Sequence, residues 1–82
     1  MNDCNLLILN IDKVHTTSLG IKRIKNNINI DDEDIVLYLK NKIMSDSCNI
    51  YIKGKNYYCE VDGIRITINS YNYCIITAHI MR

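Results

Sequence analysis

From Cys48 to Met81 apolar and polar residues alternate with a period of two, the pattern of strands with one buried face. Turn residues interrupt it where a meander needs them. Gly54-Lys55 makes a two-residue turn, Asp62-Gly63 suits a type I′ hairpin turn, and Ser70-Tyr71-Asn72 closes a third hairpin. The pattern predicts four antiparallel strands in which Ile52 faces Tyr57, Ile50 faces Cys59, Cys59 faces Ile66 and Ile66 faces Ile76. One face then carries Cys48, Ile50, Ile52, Tyr57, Cys59, Val61, Ile64, Ile66, Ile68, Cys74, Ile76, Ala78 and Ile80. A slip of one residue would turn that set to solvent, so the agreement of the three turns supports the register. The other face reads in rows. Asn49, Glu60, Arg65 and Thr77 form one. Tyr51, Tyr58, Thr67 and Ile75 form the next, and Lys53, Asn56, Asn69 and Tyr73 a third. His79 extends the last strand on that face.

The N-terminal half follows a helical period. A short helix is expected over the apolar run from Asn5 to Asn10, starting near Asp3. A polar connection, Asp12 to Thr17, ends in N-cap residues. Thr17 caps a second helix reaching about Asn27, with Ile21, Ile24 and Ile28 as its apolar positions. Gly20 inside it costs about 1 kcal/mol against Ala, which predicts a close approach at that point. After a break at Asn29-Ile30, Asp31 is expected to cap a third helix reaching about Met44, with Ile35, Val36, Leu39 and Ile43 as its buried stripe. The expected fold is α+β, with N-terminal helices packed on one face of a four-stranded antiparallel meander. It forms a single domain over residues 1–82, helical over 1–46 and a meander over 48–82.

Composition narrows the class. The 82 residues are 48% apolar, which fits one globular domain. No apolar run approaches the roughly 20 residues that span a membrane, and no signal-peptide pattern surrounds Leu6 to Leu9. A cytoplasmic protein of a bacterium or its phage is expected. Cys4, Cys48, Cys59 and Cys74 show no metal or redox spacing and read as small apolar residues. Two distant histidines without a carboxylate pattern exclude an evident metal site, so neither metal nor cofactor is expected. Net charge is +1, but Asp31, Asp32, Glu33 and Asp34 are clustered, and Lys13, Lys22, Arg23 and Lys25 form a basic segment. That segment suits an acidic partner.

The sharpest candidate chemistry is Glu60, Arg65, Thr77 and His79 on the open face. A carboxylate, a guanidinium and an imidazole there would cleave RNA without a metal. The base takes the ribose 2′-OH proton, Arg65 steadies the phosphorane, and His79 protonates the leaving 5′-oxygen. The structural alternative is a solvated Glu60–Arg65 ion pair. Tyr51, Tyr58 and Tyr73 on the same face, with Thr67 between, would stack bases or form a protein-binding surface. His15 precedes a helix N-terminus, which favours its neutral form and offers a second candidate base. Thr16, Thr17 and Arg23 are candidate phosphate contacts. A capping turn is the structural alternative for His15, Thr16 and Thr17.

The segments running from Leu9 through Asp12-Lys13-Val14-His15-Thr16-Thr17-Ser18-Leu19-Gly20 to Asn27, and from Ile66 to Ile75-Ile76-Thr77-Ala78-His79, resemble a family of small bacterial proteins catalogued as a domain of unknown function. The family resemblance implies no activity. The order of helices followed by a meander also resembles the barnase, colicin and RelE-type ribonuclease toxins. That likeness implies catalytic roles for Glu60, Arg65 and His79. The leading expectation is an RNA-binding protein, a metal-independent endoribonuclease of the small toxin type. The alternative is a non-enzymatic protein-binding module, such as a phage- or prophage-encoded inhibitor of a host defence protein. A homodimer through the edge strand or the exposed sheet face fits either reading.

Overall fold

The computed structural model describes residues 4–81. Three α-helices precede the sheet: α1 (Cys4–Leu9), α2 (Ser18–Ile28) and α3 (Ile35–Ile43). Four strands follow, β1 (Asn49–Lys53), β2 (Asn56–Val61), β3 (Ile64–Asn69) and β4 (Ile75–Ile80), in the order β1-β2-β3-β4 with every pairing antiparallel. This is the expected α+β arrangement. Asp3, the expected start of α1, lies outside the described residues. The polar connection after α1 contains one 3-10 turn, Ile11–Lys13, that the polar pattern hides.

Local chemistry fixes the helix starts. Thr17 caps α2 as expected, its hydroxyl accepting from the Gly20 N–H at 3.0 Å. The cap of α3 is Asp34, not Asp31. Asp32 accepts from the Asp34 N–H at 2.9 Å and folds the acidic run into a turn. Asp34 then accepts from Leu37 N–H at 3.0 Å and opens the helix. Residues with short acidic side chains compete for such local bonds, so the last of them, next to the apolar run, takes the cap.

One core joins the layers. Leu7, Val14, Ile24, Ile28, Ile35, Leu39 and Ile43 meet Tyr57, Cys59, Val61, Ile64, Ile66, Ile68, Ile75 and Ala78, all buried. Each buried Leu, Ile or Val among them contributes about 1.5–3 kcal/mol, so this shared interior holds the helices on one face of the sheet. Lys42 of α3 adds an ion pair with Asp62 in the β2–β3 turn, at 2.5 Å, with its ammonium 5.4 Å from the Tyr38 ring centre. Asp62 and Gly63 both have positive φ, 50° and 79°, as the expected hairpin turn requires.

The first two hairpins keep the expected register, Ile52 opposite Tyr57 and Cys59 opposite Ile66. The last differs. Asn69 accepts from the Tyr71 and Asn72 N–H groups, at 2.8 and 3.1 Å, and Asn72 accepts from the Cys74 N–H at 2.9 Å. These bonds build a loop longer by one residue than Ser70-Tyr71-Asn72, with Tyr73 at φ 60°. A second residue is absorbed by a bulge. Ile68 pairs with Ile75 and Thr67 with Thr77, so Ile76 has no partner and is exposed. Two offsets of one cancel in facing but not in register. Ile66 therefore faces Ala78, not Ile76, and Arg65 faces His79, not Thr77. Between the two offsets the faces are exchanged. Ile75 is buried with Ile68, and Tyr73 stacks on the buried Tyr57, centroids 6.4 Å apart, on the helix side of the sheet.

Residues 14–16 run along the outer edge of β4. His15 forms a parallel bridge with Cys74, accepting from Ile75 N–H at 2.7 Å and donating to Tyr73 O at 3.2 Å. The Thr16 hydroxyl donates to Ile75 O at 3.0 Å. Gly20 lies directly beneath that hydroxyl, and a Cβ there would collide with it. This is the close approach expected at Gly20, made with the preceding loop. Gly20→Ala would normally gain about 1 kcal/mol of helix propensity. Here Thr16 must rotate and give up its bond, so we expect a net loss of about 1–2 kcal/mol, read from the urea unfolding midpoint.

Candidate functional site

The corrected register assembles one lateral row on the open face. Asn49 of β1 lies opposite Glu60 of β2, Glu60 opposite Arg65 of β3, and Arg65 opposite His79 of β4. Arg65 Nε donates to Glu60 Oε2 at 3.0 Å. The Tyr51 hydroxyl donates to the same oxygen at 2.6 Å. Tyr51 pairs with Tyr58, two residues before Glu60, so its ring reaches the carboxylate diagonally. The Tyr51 and Tyr58 rings stack with centroids 5.4 Å apart and planes 20° from parallel.

The electrostatics follow from these contacts. The Tyr51 hydrogen bond, then the Arg65 bond and charge, hold the Glu60 carboxyl below the usual glutamate range, against an opposing effect of burial. The same bond raises the Tyr51 phenol above its ordinary value. Both members of the ion pair remain partly open to solvent, Arg65 at 38% and Glu60 at 24% exposure. The guanidinium and the carboxylate are therefore both in contact with solvent.

Thr67 and Thr77 face each other in the next row. Thr67 is buried, and Thr77 accepts from Asn27 Nδ2 of α2 at 3.2 Å, so a helix side chain rims the face at the β4 edge. The face thus gathers Glu60, Arg65, His79, Tyr58, Thr67 and Thr77. Other candidates lie elsewhere. Tyr73 is on the opposite face. Arg23 is exposed on α2. His15 sits beside the start of β4, five residues from His79, or about 17 Å along the strand direction. Its Nδ1 donates to Lys13 O at 2.9 Å, which ties the ring to its own loop. Thr16 and Thr17 spend their hydroxyls on Ile75 O and Gly20 N–H. The acid–base and phosphate-contact candidates of the loop are therefore not brought to the row.

The sequence pattern places Tyr51 on this face but not on Glu60. The signal is its diagonal position, within reach of a long aromatic side chain. A surface groove lies away from the row, against Lys22, Lys25, Asn26, Asn29, Ile30 and Asp31. Its lining mixes ammonium groups with a carboxylate and holds none of the face residues.

The family model described as protein of unknown function (DUF3781) matches residues 8–79. The chain belongs to this family. The row and the β4 edge loop lie within the matched span. No curated protein and no solved structure matches the chain significantly. Among the described residues, no helix is long and apolar enough to cross a membrane, and no group of His, Cys, Asp or Glu is placed to hold a metal ion.

Glu60 also links stability to pH. Its folded-state value is depressed, so its contribution is present above the unfolded value and is lost as pH falls through the folded one. We expect the melting temperature of the wild type to fall more steeply below about pH 4 than that of Arg65→Ala, in which Glu60 titrates closer to an ordinary glutamate.

Proposed function

We propose that the open face binds single-stranded RNA and cleaves it without a metal. The observation that carries this reading is the row Glu60–Arg65–His79, one residue from each of three adjacent strands. Adjacent strands lie about 4.8 Å apart, so the backbones of Glu60 and His79 are separated by about 10 Å with Arg65 between them. A phosphodiester over Arg65 would have a carboxylate on one side and an imidazole on the other. Arg65 uses Nε on Glu60, which leaves its two terminal nitrogens for phosphate oxygens.

In this reading Glu60 accepts the 2′-OH proton as the 2′-oxygen bonds to phosphorus. The bond to the 5′-oxygen breaks, and the imidazolium of His79 gives that oxygen its proton. The products are a 2′,3′-cyclic phosphate and a 5′-hydroxyl. The stacked Tyr51–Tyr58 pair offers ring surface for a neighbouring base.

Recognition of a host protein is the second reading. It is favoured by the engagement of Glu60, which weakens it as a base, and by the Tyr–Arg character of the face, common at interface centres.

The test is incubation of labelled single-stranded RNA with the protein in EDTA, alongside Glu60→Gln, Arg65→Ala and His79→Ala. We expect cyclic-phosphate ends from the wild type and at least a hundredfold slower cleavage from each variant. Intact RNA at high protein concentration sinks the enzymatic reading. Cleavage unchanged in all three variants removes the row from it.

A further inference from the structure

Both side-chain bonds to the Glu60 carboxylate fall on one of its oxygens. Oε2 receives both the Tyr51 hydroxyl, at 2.6 Å, and Arg65 Nε, at 3.0 Å. We propose that Tyr51 is a positioning residue of the row: with Arg65 it pins Glu60 through Oε2, so that Oε1 is the oxygen left to accept a proton. The catalytic meaning of this rests on the RNA-cleaving reading above, but the orientation itself does not.

The argument is geometric. A Glu side chain on a sheet face has freely rotating bonds, and a single ion pair leaves its carboxylate mobile. Two donors from opposite sides remove that freedom. Tyr51 comes from β1 and Arg65 from β3, so Glu60 on β2 is gripped across the sheet. Tyr51 is itself fixed, because its ring stacks on Tyr58. A phenol on a stacked ring is a stiff donor, with little side-chain freedom left to lose.

The charged and titratable groups around Glu60 are few. β1 presents Tyr51, with Lys53 farther along the strand. β3 presents Arg65, with His79 of β4 beyond it. Its own strand presents Tyr58 on the same face. The helices lie mainly on the other side of the sheet, and where α2 rims this face, at the β4 edge, it presents the uncharged amide of Asn27 to Thr77. The Tyr51 hydrogen bond is the largest single influence holding the carboxyl low, and Arg65 adds a bond and a charge. Deleting one hydroxyl therefore has a readout that does not depend on catalysis.

The experiment is a carbon-13 NMR titration of the Glu60 side-chain carboxyl in the wild type, Tyr51→Phe and Tyr58→Phe. Both variants keep the stacked rings, and thermal melts check that each folds. We expect the Glu60 midpoint to move upward in Tyr51→Phe and to stay at the wild-type value in Tyr58→Phe. An unmoved midpoint in Tyr51→Phe overturns the proposal, as does an equal rise in both variants. Where the wild type cleaves RNA, the acidic limb of kcat/KM against pH moves upward with the midpoint in Tyr51→Phe; a limb that stays put overturns the catalytic part. A midpoint that moves in a protein leaving RNA intact upholds the positioning role and rejects the nuclease reading.

Discussion

The pairing of β3 with β4 decides which side chains meet on the open face. Thr67 sits opposite Thr77 while its neighbour Ile68 sits opposite Ile75, so one residue of β4 is left without a partner. Because strand side chains alternate, that single extra residue reverses the facing of everything between it and the loop. It lets Ile75 enter the core and leaves Ile76 in solvent. Past the bulge the alternation resumes, and His79 arrives beside Arg65. With Ile68 opposite Ile75 and no bulge, Arg65 would face Ala78, and the 3.0 Å contact between Arg65 and Glu60 would stand beside a methyl group.

The two faces of the sheet are consequently built by different forces. The helix side is held by area: fully buried Leu and Ile side chains from every helix and from β3 and β4. The open side is held by a few directed contacts, the carboxylate with its two donors and the Tyr51–Tyr58 stack. Directed contacts contribute less to stability than burial, but they fix orientation. The Asp62-Gly63 turn connects the two regimes. Asp62 is tied to Lys42 of α3, and Glu60 and Arg65 flank the same turn.

Much of this was legible in the residues because turns speak locally. Asp62-Gly63 and Gly54-Lys55 specify short loops, and the first two hairpins follow from them. Thr17 before an apolar helical stripe announces α2, and a glycine at position 20 announces a close neighbour. The last hairpin was not legible, because its loop is set by the side chains of Asn69 and Asn72 rather than by glycine. The run Ile75-Ile76-Thr77 offers two isoleucines of equal apolarity, and no local signal says which is buried. The cap of α3 was ambiguous for the same reason, with four acids in succession. The Tyr51–Glu60 contact depends on a diagonal reach across strands, which alternation alone does not reveal.

The edge loop has a consequence for how the chain comes together. The Thr16–Ile75 bond joins positions 59 residues apart. Contacts of such separation form late, because closing a long loop costs entropy before any gain arrives. During synthesis the loop before α2 emerges 59 residues ahead of its partner in β4. The residues before helix α2 therefore stay undocked until β4 has been made.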